Sequence, residues 1–154
     1  MLVPQDASAQ LSVAAVSTPY TITFDATVAG VSNGTFAGTG FQATPTAGRL
    51  DSDAWAITGM SDAALAFGGT ATSGDYTQGN SAGAVTTGGI YAFTGGSIGA
   101  GRALGIQPTG ADWTPGTITL RVQNNTGAAL SSFDVAYEIH VRNNEARSNS
   151  FNFS

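Results

Sequence analysis

Cysteine and lysine are both missing from the 154 residues, and all five basic side chains are arginine: Arg49, Arg102, Arg121, Arg142 and Arg147. Without a thiol, neither a disulfide framework nor a thiolate metal site is possible. Charge of either sign is scarce. Charged residues are 10% of the chain, against ~25% in an ordinary globular protein. The net charge of −5 and the scattered arginines argue against a nucleic-acid partner, because phosphate contacts need clustered cations. No apolar run approaches the ~20 residues of a membrane-spanning helix. Histidine occurs once, at His140, and no G-x-S-x-G elbow accompanies it.

What is present is glycine, 21 residues of it, set among threonine, serine and asparagine with a normal 42% of hydrophobic residues. A chain that apolar and so weakly charged is not disordered. It reads as short strands joined by tight turns. The length is that of one domain. The low-charge, lysine-free surface suggests an extracellular protein. "ASAQ" at Ala7–Gln10 resembles a signal-cleavage site, yet only Met1-Leu-Val-Pro precedes Gln5 and Asp6. A signal remnant and a chance match both stay open.

Residues 1–17 read as an extended polar leader and 18–154 as a single domain. Tyr20–Phe24 alternates and predicts a first strand. One or two short strands are expected around Phe36 and Phe41, then another at Ala54–Thr58, with Trp55 and Ile57 in the core. Ser61–Phe67 has the pattern of a short helical turn capped by Ser61 and Asp62. Gly68–Gly89 reads as a long loop or an edge hairpin. Strand signals strengthen at Gly89–Phe93, Ala103–Gln107 and Thr117–Gln123. The longest alternation follows, with Phe133, Val135, Tyr137, Ile139 and Val141 on one face and Asp134, Glu138, His140 and Arg142 on the other. Phe151 and Phe153 repeat the two-residue spacing. The expected fold is all-β, an antiparallel sandwich of jelly-roll type with little or no helix.

The stretches "DAWAITGMSD" (53–62), "TTGGIYAF" (86–93), "RALGIQPTGADWTPGTITLRVQNNTG" (102–127) and "EARSNSFNFS" (145–154) resemble secreted bacterial β-sandwich domains of surface and anchor-bearing proteins. The resemblance implies a fold like that of carbohydrate-binding modules and carries no chemistry to particular residues. In that pattern further strands follow the last of these stretches. Three expectations compete: a complete domain, a fragment, or a sandwich completed by a neighbour's strand. For the third, Leu11, Val13 and Val16 of the leader are candidate donor positions, and Phe151 and Phe153 are candidate assembly positions.

Site chemistry is sparse. Glu138 and His140 share a strand face, but a lone histidine there is more often solvated than catalytic. Asp134 with Glu138 is a weak carboxylate pair. Asp51, Asp53 and Asp62 are candidate calcium ligands, since hard cations take carboxylate oxygens in flexible turns. Aspartates in turns also simply bond their own backbone. Trp113 beside Asp112, and Tyr76 beside Asp75, lie in loops where a flat ring can stack on a sugar. These features predict a non-catalytic, secreted surface protein of structural or adhesive role, which self-associates into oligomers or filaments. The alternative is a carbohydrate-binding module.

Overall fold

A computed structural model describes residues 10–142 and 150–152. Among these residues all regular structure is strand, apart from two single 3-10 turns at Gly74–Tyr76 and Gly96–Ile98. The strands are β1 (Leu11–Val13), β2 (Ser32–Asn33), β3 (Phe41–Gln42), β4 (Arg49–Asp51), β5 (Trp55–Thr58), β6 (Asn80–Ser81), β7 (Gly89–Phe93), β8 (Ala103–Gln107), β9 (Thr117–Leu120) and β10 (Val122–Asn124). They form small sheets in the orders β1-β10, β2-β4-β3, β5-β9 and β6-β7-β8.

The all-β class agrees with the sequence, but the expectation of antiparallel pairing holds only in part. β2–β4, β5–β9 and β7–β8 are antiparallel, whereas β1–β10, β3–β4 and β6–β7 are parallel. Two of the parallel pairs are only two residues long. Their connections, 43–48 and 82–88, are too short for a helical crossover.

The core explains why these segments stay together. Val31, Phe36, Phe41, Leu50, Ile57 and Ile90 are fully buried. An aromatic chain links them: Phe24, Phe36, Phe41 and Tyr76 follow one another with ring centroids 6.3, 6.4 and 6.0 Å apart. Trp55 joins it through Phe24 at 6.1 Å, in the offset spacing that aromatic quadrupoles favour. As expected, Trp55 is core, and its Nε1–H donates to the Val31 carbonyl at 3.1 Å.

Four expected elements differ. Tyr20–Phe24 is not a strand. Phe24 has φ 60°, which breaks an extended run, and its carbonyl accepts the Phe36 N–H at 2.8 Å. The Tyr20 hydroxyl accepts the N–H groups of Ala14 and Ala15. Ser61–Phe67 is not helical either. Leu65, buried in the core, exchanges two backbone hydrogen bonds with Ile57 and so lies beside β5. Thr117–Gln123 splits in two. The Arg121 N–H turns to the Ala54 carbonyl at 2.8 Å, leaving β9 on β5 and β10 on β1. Finally, 133–141 belongs to no strand, and its apolar side chains are exposed.

Leu11–Val13 of the leader is joined to the rest. β1 pairs in parallel register with β10, Leu11 opposite Val122 and Val13 opposite Asn124. Gln10 to Gln123 and Asn125 to Ser12 side-chain bonds, each 2.7 Å, flank the ladder. Val16 lies beyond it and is exposed. Among the described residues no helix is long and apolar enough to cross a membrane.

Candidate functional site

The two loops expected to carry sugar-stacking rings do approach each other, and Ser61 joins them. Its N–H donates to Asp112 Oδ1 at 2.8 Å and its hydroxyl donates to Asp75 Oδ2 at 2.6 Å. Thr109 Oγ1 donates to the other Asp112 oxygen at 3.0 Å. These bonds, the Ser61 N–H foremost, hold the Asp112 carboxyl below the usual aspartate value, although its burial opposes them. The carboxylates thus fasten one loop to the other. The sequence pointed to Ser61 only as a cap, not as the link between these loops. Its only signal was a hydroxyl beside an aspartate in a turn.

The two rings sit differently: Tyr76 is buried and Trp113 is half-buried. Tyr76 is 3% exposed. It packs edge-on against Phe41, and its hydroxyl donates to the Ala63 carbonyl at 2.7 Å. Burial pushes this phenol up to about 12. The inward turn follows from the core: the 3-10 turn at Gly74–Tyr76 delivers the ring into the aromatic chain. Trp113 packs on the core's margin, with its Nε1–H buried and unpartnered among the described residues. Its backbone is left-handed (φ 57°), and its N–H donates to the Gly59 carbonyl at 2.6 Å. A shallow hollow of about 480 Å³ lies beside Tyr76, lined by Asp62, Leu65, Thr70, Thr72 and Ser73. Tyr76 is among its lining residues, and Trp113 is not.

The calcium candidates Asp51 and Asp62 take separate partners. Asp51 is buried, and its Oδ1 accepts the Asp53 N–H at 2.9 Å. That is the aspartate turn bonding its own backbone. Desolvation raises the Asp51 pKa. Asp62 points elsewhere, its Oδ2 accepting the Asp75 N–H at 2.8 Å. Among the described residues no three acidic or histidine side chains are arranged to hold a metal ion.

His140 has partners on both ring nitrogens. Nδ1 shares a hydrogen bond of 2.9 Å with Ser97 Oγ, and Nε2 lies 3.6 Å from Glu138 Oε2. Serine, histidine and carboxylate therefore stand in a row. The Glu138 side chain is 89% exposed, so water competes for every bond it makes. The row acts instead with Arg142. That guanidinium donates to the carbonyls of Thr94, Gly95 and Ala82 and lies over the Phe93 ring. Together they dock the end of the 131–142 segment on the turn after β7.

The apolar side of the same segment is uncovered. Phe133 is 76% exposed and Val141 79%, with Val135, Tyr137 and Ile139 each more than half exposed. Phe151 is also exposed, and Phe153 lies outside the described residues. Compared with known proteins, the chain matches no family model, no curated protein and no solved structure.

Proposed function

We propose that this is a non-catalytic, secreted surface protein with a structural or adhesive role. Its fold is of the jelly-roll sandwich type, and its subunits associate by strand pairing. One observation carries the reading. Phe133, Val135, Tyr137, Ile139 and Val141 recur at every second residue, the pattern of a strand with one buried face. All five stand in solvent, and the segment belongs to no ladder among the described residues. A contiguous apolar stripe of this kind marks an interaction surface. The donor positions move accordingly. Leu11–Val13 of the leader is already in a ladder with β10, whereas 131–142 lies in no strand among the described residues. No observation favours the carbohydrate-binding alternative, since Tyr76 is buried and Trp113 is half-buried against the core.

The test is light scattering after size exclusion across a hundredfold range of concentration, with electron microscopy of any excluded fraction. The parent is expected to form oligomers. The Phe133→Asp, Tyr137→Asp, Val141→Asp triple variant, altered only at exposed positions, is expected to stay monomeric. A parent that is monomeric throughout the range would sink the proposal.

A further inference from the structure

Resting on that self-association, we infer that 131–142 of one copy pairs along the outer edge of β8 in a second copy, and that the exchange is mutual. The inference starts at β8. Its inner edge pairs with β7 along five residues, from Phe93 opposite Ala103 to Gly89 opposite Gln107. Its outer edge has no backbone partner among the described residues. Every residue of β8 is half-buried, whereas every residue of β7 is buried. Leu104 and Ile106 are partly buried and pack against the core.

Edges left open in stable proteins are normally guarded by charge, proline or a bulge. "ALGIQ" has no charged residue and no proline, and its register with β7 is unbroken. It therefore offers an unguarded template for an added strand. The alternating segment supplies what that edge lacks. Placed beside β8, its apolar face extends the surface made by Leu104 and Ile106, while Asp134, Glu138 and His140 lie on the other face. Arg102, immediately before β8, is opposite in charge to Asp134 and Glu138.

One copy holds both an open edge and an uncovered strand-like segment. His140 and Arg142 fix the end of that segment at the turn after β7, with its apolar residues still exposed. Two copies related by a two-fold axis satisfy both needs at once. At ~150–250 Å² for a buried aromatic side chain, the five exposed residues bring on the order of 500 Å². A mutual exchange doubles this to roughly 1,000 Å², enough for a specific interface.

The absence of cysteine makes the test clean. One set of single-cysteine variants places a thiol at Ala103 or Gln107, and a second set at Asp134, Ala136 or Glu138. The sets are mixed pairwise and oxidised, and the cross-linked peptides are mapped by mass spectrometry. Disulfides between β8 of one copy and 134–138 of another are expected, together with oligomers of the parent. Oligomers whose cross-links avoid β8 would overturn the β8 assignment and leave self-association standing. Double variants that close within a single monomer would overturn the second copy as occupant. A parent that is monomeric at every concentration would overturn both readings.

Discussion

Trp113 is the residue whose meaning changes most between sequence and fold. In a loop between Asp112 and a Pro-Gly turn it reads as a binding platform, yet its ring lies against the core. Trp113→Ala is accordingly expected to lower stability by about 2 kcal/mol, less than a fully buried tryptophan costs. Denaturant titration measures this. An unchanged midpoint would restore the platform reading. Titration gives a second expectation. The Asp112 carboxyl is held below its unfolded value near 3.8. Its contribution is therefore complete above that value and is lost as pH falls through the lower folded one. Asp112→Asn should flatten the acid limb of the stability profile. Tyr76 governs the other limb. Its phenol titrates near 12 in the fold against 10 unfolded, so stability is complete below pH 10 and is lost as pH rises toward 12. Tyr76→Phe should keep the ring packed and shift that loss upward, as thermal melts from pH 8 to 12 would show. Neither shift was legible in the sequence. Both depend on which way a loop residue turns, and the core decides that.

At the scale of elements, the sequence was legible where alternation coincided with a real partner. Gly89–Phe93 and Ala103–Gln107 were read with the boundaries they have, because each strand supplies the other's ladder. Trp55 and Ile57 were read as core for the same reason. Alternation misled at Tyr20–Phe24 and at 133–141. A period of two records that a segment can form a strand, and an available edge determines whether it does. The parallel pairings were invisible, since nothing local distinguishes Asn80–Ser81 as a partner of Ala92 and Phe93. A packing prediction belongs here. Gly105 sits in β8 under the Phe93 ring, and a Cβ at this position would overlap that ring. The ring has little room to retreat, being stacked on Tyr91 at 5.2 Å. Gly105→Ala should cost about 1–3 kcal/mol, as overpacking does. It should also loosen β8, which hydrogen exchange of the 103–107 amides would report.

For the whole molecule, scarcity of charge sets the response to solvent. With charged residues at 10%, any association must rest mainly on apolar contact, and electrostatic screening has little to act on. Oligomers should survive 1 M sodium chloride with little change in size. They should disperse in urea well below the unfolding midpoint, because urea solvates apolar and peptide surface together. A collapse of the oligomer in salt alone would point to ion pairs instead.

The β1–β10 ladder has a consequence of a mechanical kind. Its strands run parallel, Leu11–Val13 beside Val122–Asn124. Tension entering before Leu11 and leaving after Asn124 pulls them lengthwise past each other, so their hydrogen bonds are loaded together. An antiparallel pair held at adjacent ends would instead open one bond at a time, like a zipper. The three-residue clasp stands in the line of force, with residues 14–121 shielded behind it. Rupture under load should come as one abrupt step, followed by the release of the slack stored between the strands.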